Sequence, residues 1–223
     1  MDQSLAMVRH AVASGIRRAV VTPHIHPGRY DNTRNSIGEV FATFQEAVAA
    51  EGLELELAFA AEVRISPEIM GMEAEGALPL MGELDGYRIL LLELPHSHVP
   101  PGSEQMVDWL MARNIRPMIA HPERNKDVIR RLDKIQPFVE AGCYLQVTAG
   151  AVAGQFGPQA ELRAKEMLER EWVTILASDA HNLKYRPPEL EPGRAAAESI
   201  VGEGASRALT QDIPHAISES LFI

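Results

Sequence analysis

Cysteine is nearly absent from this sequence. Cys143 is the only one, which excludes an internal disulfide and points to a reducing, cytoplasmic setting. It opens an apolar strand-like run, where a thiol is expected to be buried and inert. Positive charge is also short, with Lys+Arg 21 against Asp+Glu 31 and a net charge of −10. Nucleic-acid affinity rests on clustered basic residues, so no nucleic-acid partner is expected. A membrane-length apolar run is missing as well. The long uncharged stretch 141–160 contains four glycines and a proline, and reads as a strand plus a glycine-rich loop. Residues 1–15 lack the basic start and apolar block of a secretory signal. Low-complexity segments and linkers are absent too. Pro and Gly fall as punctuation between elements, so residues 1–223 are expected to form a single domain.

What is present is a regular alternation of strand and helix patterns. Apolar spacing predicts helices over 4–14, 36–51, 103–113, 128–141 (broken near Pro137), 160–171, 193–203 and 206–221. Strands are predicted over 19–22, 54–60, 87–94, 116–120, 143–148 and 173–177. Alternating strands and helices imply a parallel sheet, and in such folds function gathers at the C-terminal strand ends. Six of the eight histidines (His24, His26, His96, His98, His121 and His181) lie at or just after such an end. His10 and His215 fall on predicted helices and read as surface residues.

The stretch Ser178-Asp179-Ala180-His181-Asn182 closes the last strand. Alternate strand residues point the same way, so Asp179 and His181 can reach one centre; the alternative is Asp179 as a helix cap. With His24, Glu62, Glu93 and His121 at other strand ends, a mixed imidazole and carboxylate set emerges. Lacking thiolate, it suits a catalytic cluster of manganese, iron, magnesium or zinc rather than a structural zinc. Glu93 lies inside an apolar strand end and needs a cation or dense hydrogen bonding to stay ionised. Two metals could share it, or it could be a salt-bridged core residue. For His121 the alternative is a capped turn at Pro122. Arg124 and Arg186 follow metal-type residues on separate loops. Arginine holds phosphate oxygens bidentately, so a phosphate ester is the implied substrate, unless the arginines merely pair with Glu123 or Glu189.

Taken together, Thr22-Pro23-His24 with Gly28, Tyr30 and Asn32, then Glu62-Val63-Arg64-Ile65, His121-Pro122-Glu123-Arg124-Asn125 and Ser178-Asp179-Ala180-His181-Asn182 with Arg186-Pro187-Pro188 carry a resemblance. The chain is similar, over nearly its whole length, to the bacterial tyrosine-protein phosphatases of the PHP (polymerase and histidinol phosphatase) superfamily found in capsule and exopolysaccharide gene clusters. The resemblance implies a distorted (β/α) barrel with a trinuclear site, usually manganese-dependent. It implies a substrate, phosphotyrosines on the tail of a bacterial tyrosine autokinase that controls polysaccharide export. By the same resemblance His24, Glu62, Glu93, His121, Asp179 and His181 are metal ligands, Arg124 and Arg186 hold phosphate, and His26 and Tyr30 contact substrate. Membrane insertion is not implied, and the oligomeric state is left open.

The family opens with a strand carrying a His-x-His pair, whereas this chain begins on the following helix. The expectation is therefore a barrel lacking its first strand, fewer metals than three, and an upstream extension that supplies the pair. Cys143 is excluded as the nucleophile of a cysteine-type phosphatase, because no anion-binding loop and arginine follow it. The other readings are a small-molecule phosphatase of the histidinol-phosphate type and a catalytically impaired module that binds phosphopeptides.

Overall fold

Residue alternation in one strand explains the layering of the whole chain. A computed structural model describes residues 1–222. Its elements run α1 (Asp2–Ala13), β1 (Arg18–Val21), β2 (His24–Ile25), α2 (Arg34–Ala50), β3 (Glu56–Phe59), β4 (Glu62–Arg64), α3 (Glu68–Ala74), β5 (Glu83–Leu84) and β6 (Tyr87–Glu93). They continue with α4 (Ser103–Met111), β7 (Ile115–Ala120), α5 (Lys126–Arg130), α6 (Gln136–Glu140), β8 (Tyr144–Thr148), α7 (Ala149–Val152), α8 (Pro158–Glu169), β9 (Ile175–Ala177), α9 (Glu191–Val201), α10 (Glu203–Arg207) and α11 (Ile213–Ser218).

Along β6, Leu90 and Leu92 join the large core shared with the helices, while Ile89 and Leu91 join a second, inner cluster. The same parity holds in β7, where Ile119 faces the helices and Met118 and Ala120 face inward, and in β9 with Leu176 against Ile175. A parallel sheet covered on both faces accounts for these near-continuous apolar runs. The inner cluster is closed by Ile217 of α11. Gly82 permits that closure, since a Cβ there would meet the Ile217 carbonyl oxygen at 1.9 Å.

The main sheet is ordered β2-β4-β6-β7-β8-β9, all parallel, with β5 antiparallel on β6. No pairing joins β9 to β2 among the described residues, so the architecture is a mostly parallel α/β sheet without a closed hydrogen-bonded ring.

The elements differ from expectation in three places. The expected strands 19–22 and 54–60 appear as β1 and β3, but each is followed by a further short strand: β1 pairs β3, then β2 pairs β4, with Val21 facing Phe59 and His24 facing Glu62. Pro23 has no N–H to give to a ladder and marks the first break. The expected helix 128–141 is α5, a 3-10 turn and α6, because Arg131 is extended at φ −147°. Finally, β5 forms a hairpin with β6 through Asp85 and Gly86 at φ 53° and 78°. That Asp-Gly pair is a strong hairpin signal which periodicity alone passes over.

Candidate active site at the strand ends

Strand parity selects which side chains meet. Glu93 continues the inward series Ile89, Leu91; Glu62 and Arg64 flank Val63, which faces the helices, and His24 pairs in register with Glu62. All therefore emerge on the inner face at the C-terminal end of the sheet. His121 and Asp179 lie just past β7 and β9, and both have left-handed backbone, φ 36° and 47°. Such conformations are uncommon for residues other than glycine, although His and Asp tolerate them best, and they gather at functional sites.

The first group is His24, Glu62, Glu93 and His121. Ligand atoms of His24, Glu62 and Glu93 all lie within 4.8 Å of one another. His24 Nδ1 is 3.9 Å from both Glu62 Oε1 and Glu93 Oε2, and His121 Nε2 is 2.8 Å from Glu62 Oε1. Glu62 is 3% exposed. Burial pushes its carboxyl up, but the hydrogen bond and charge of His121 and the charge of His24 hold it below the usual range. Glu93 finds its cation in Arg64, whose Nε and Nη2 both sit 2.9 Å from Oε2. Sequence reasoning quoted Arg64 only as part of a motif. Its position two residues after Glu62, on the same strand face, is the signal that places it here.

The second group centres on Asp179. Arg124 Nη2 donates to Asp179 Oδ2 at 2.8 Å, and Arg186 Nη2 donates to the same oxygen. Burial pushes this carboxyl up, and Arg124, His121, Arg186 and His181 together carry it below the ordinary value. Asp179 is thus no helix cap; the next helix, α9, starts at Glu191 with Leu190 before it. Asn182 closes the turn that follows, with Oδ1 accepting from the backbone N–H of Lys184 and Tyr185. His181 Nδ1 is 2.9 Å from the Asp179 carbonyl. A carbonyl can only accept, so Nδ1 is the donor in this contact.

The two groups touch. The rings of His24 and His181 lie 6.0 Å apart, and Tyr30 stacks on His24 at 5.5 Å and 18°. Tyr30 and His26 belong to a turn closed by their own backbone bridge, and Asn32 fixes the His24 carbonyl at 2.8 Å. Arg186 does not pair with Glu189, whereas Arg124 also keeps a longer contact with its neighbour, Nε to Glu123 Oε1 at 3.9 Å. Glu189 pairs with His10 at 2.6 Å, so His10 is not a free surface residue. Glu123 is fully buried; its Oε1 accepts from Thr148 N at 3.1 Å, and burial pushes its carboxyl up. Asn125 staples the loop after β6 by donating to the Pro95 and His98 carbonyls at 2.8 and 3.0 Å. His96, on that loop, lies near enough to feel Arg124 and His121, although burial is the main cause holding its pKa low. Cys143 lies apart, its thiol pushed by burial up to about 12.

The donor set fits a divalent cation. Imidazoles and carboxylates converge without thiolate, two of the carboxylates are buried, and the local excess is of ligands rather than of protein cations. No helix among the described residues is long and apolar enough to cross a membrane.

Comparison with known proteins agrees with this geometry. The chain is 33% identical over 183 residues to the tyrosine-protein phosphatase YwqE of Bacillus subtilis (strain 168), covering 82% of this chain and 71% of that one. It is 26% identical over 222 residues to the tyrosine-protein phosphatase CpsB of Streptococcus pneumoniae, covering 97% and 90%. Among solved structures it matches one from the pair YwqE of Bacillus subtilis and CpsB of Streptococcus pneumoniae, unique metal-dependent tyrosine phosphatases. The TM-score is 0.89 at 29% identity, over 100% of this chain and 88% of the other. The family model for capsular polysaccharide synthesis, CpsB/CapC, matches residues 1–219, and the chain belongs to that family.

Proposed function

We propose that this protein is a metal-dependent phosphatase that hydrolyses phosphotyrosine on a protein, and that its substrate is the phosphorylated tail of a bacterial tyrosine autokinase governing capsule or exopolysaccharide export. One observation carries the reading: two guanidinium groups converge on a single oxyanion, Asp179 Oδ2, beside a ligand-rich group of imidazoles and carboxylates. Two arginines around one oxygen suit a phosphoryl group, whose non-bridging oxygens gather charge as the ester bond breaks.

His24, Glu62, Glu93, His121, Asp179 and His181 would hold the metal, with manganese the expected ion and iron, zinc or magnesium the alternatives. Bound there, it would lower the pKa of a water so that a nucleophile is available near neutral pH. The residues do the rest. Arg124 and Arg186 orient the phosphoryl group for in-line attack and neutralise its oxygens. Arg64 holds Glu93 in place, and the contact of His181 Nδ1 with the Asp179 carbonyl orients the imidazole ring. Tyr30, stacked on His24, stands where an incoming aromatic ring would pass. His26 shares that turn. A cytoplasmic location fits the autokinase tail as substrate.

Initial rates on a chromogenic aryl phosphate with manganese, then on a phosphotyrosine peptide against histidinol phosphate, test the proposal. Preference for the peptide is expected. Preference for histidinol phosphate would replace it with the small-molecule activity, and tight peptide binding without turnover would replace it with a binding module.

A further inference from the structure

Two loops flank the site and repeat one design. The first follows His24 and is closed by a backbone bridge from His26 to Tyr30; the second follows His181 and is closed by a bridge from Asn182 to Arg186. Each lifts a cation over a tyrosine ring: Arg29 lies 5.2 Å from the Tyr30 centroid and Lys184 lies 4.9 Å from that of Tyr185. Both tyrosines are open to solvent, Tyr30 at 43% and Tyr185 at 70% exposure, and Leu183 beside them is 45% exposed.

These exposed side chains stand on both loops beside His24 and His181, whose rings lie 6.0 Å apart. A third exposed cation, Lys126, opens α5 just after the His121 turn, its backbone N–H on the His96 carbonyl. Among the described residues none of Arg29, Lys126 and Lys184 forms an ion pair, whereas most other arginines do. Asp31 is the acid on the first loop, and it is turned to the Gly28 backbone at 2.7 Å. In a chain of net charge −10, three cations without an ion pair thus stand on the segments that border the site.

We infer that the twin loops are a clamp for the peptide around the phosphotyrosine, reading Asp and Glu side chains that flank it. Tyr30 and Tyr185 would hold peptide and aryl surface while Arg29, Lys184 and Lys126 meet the carboxylates. The inference rests on the phosphatase reading and adds to it a substrate class, tyrosines in acidic sequence. Exposed charges of this kind steer and select more than they tighten.

The test compares two phosphotyrosine peptides of equal length, one with glutamates and one with glutamines on both sides of the phosphotyrosine. The readout is the ratio of kcat/KM within each protein, backed by the ratio of Kd from fluorescence anisotropy, which needs no turnover. The acidic peptide should lead by about tenfold at low salt, the product of two or three exposed charge pairs. The lead should shrink as salt is raised. In the double variant Arg29→Glu, Lys184→Glu it should vanish or reverse. An equal response to both peptides, or a preference that survives the double variant, would overturn the clamp. A gain from a second phosphotyrosine with none from glutamate would also overturn it, in favour of a phosphate-selective rim. Loss of aryl phosphate hydrolysis in the wild-type protein would instead count against the phosphatase reading, while the Kd ratio still decides the clamp.

Discussion

The two halves of the site face opposite electrostatic problems. At the ends of β2, β4 and β6, with His121, carboxylates and imidazoles crowd together, and Arg64 is the one guanidinium that answers them. Past β9 the balance inverts, with two arginines and His181 around a single carboxylate, Asp179. The first half is short of positive charge and the second has a surplus. A site divided this way takes a cation on one side and an anion on the other, which is what hydrolysis of a phosphate ester by a bound metal requires. The halves are not independent, because His121 and His181 both bear on Asp179.

The largest expected effect comes from removing the carboxylate that the cationic half shares. Asp179→Ala takes from Arg124 and Arg186, whose side chains are 11% and 25% exposed, the carboxylate they share, and leaves Arg124 the longer 3.9 Å contact with Glu123. Deleting one partner of a buried pair costs on the order of 3–5 kcal/mol. For a chain of this size that is a fall of about 10 °C in Tm, at about 2–4 °C per kcal/mol. Glu62→Gln, in the anionic half, keeps a side-chain oxygen beside His121 Nε2 and should cost less. Thermal unfolding of both variants without metal checks this; a larger loss for Glu62→Gln would erase the contrast between the halves.

Next in size is catalysis. Arg124→Ala or Arg186→Ala should lower kcat by about 10²-fold, the scale of one lost transition-state donor. Each leaves Asp179 with the other guanidinium, so Tm should move less than in Asp179→Ala. Wild-type turnover in both variants would reduce the pair to a structural ion bridge.

Much of this contrast was legible in the sequence, for a physical reason. Side chains at strand ends inherit the period-2 parity of their strands, so Glu62 and Glu93 could be gathered from spacing, whereas Asp179 lies past β9 in a left-handed conformation. The partners could not. That Arg64 binds Glu93, or that both arginines meet at Asp179 while Arg124 also reaches Glu123, depends on backbone turns such as φ 36° at His121 and φ 47° at Asp179. Nothing local in the sequence encodes where a left-handed turn aims the next side chain. Element boundaries failed for a related reason. The pairing of β1 with β3 and of β2 with β4 is decided between strands, and only Pro23 left a local trace of the break. The Asp85-Gly86 hairpin was readable and was passed over.

A smaller effect sharpens the anionic half. Glu93→Gln removes the charge that Arg64 and a metal would both use, and should lower manganese affinity by about tenfold or more, the range for changes next to a metal. Titration of metal-free protein followed by elemental analysis reads this directly. Arg64→Ala should weaken binding less, since it removes a group that orients Glu93 rather than a ligand. Equal manganese uptake by wild type and Glu93→Gln would take Glu93 out of the ligand set and leave it as a salt-bridged core residue.

The smallest expected effect is on acid stability, and it separates two buried carboxylates with opposite shifts. Glu62 is held below its ordinary 4.5 because His121 and His24 outweigh burial, and Asp179 below 3.8 because its cations do the same. A depressed carboxyl contributes stability that is complete above its unfolded pKa and drains as pH falls through the folded one. Glu123 runs the other way, since burial outweighs Arg124 and His121 and raises it above 4.5. Its contribution is complete below that value and is lost as pH rises towards the folded pKa. Urea unfolding of metal-free protein between pH 3 and 7 should therefore give variants that diverge from wild type in different windows. Glu62→Gln flattens the fall in stability below about pH 4.5, the window set by its unfolded value. Glu123→Gln leaves that fall in place and gains relative stability above it, while its amide oxygen still accepts from Thr148 N. If both variants run parallel to wild type across the range, neither carboxylate carries a shifted charge in the folded protein. The electrostatic division of the site would then rest on Asp179 alone.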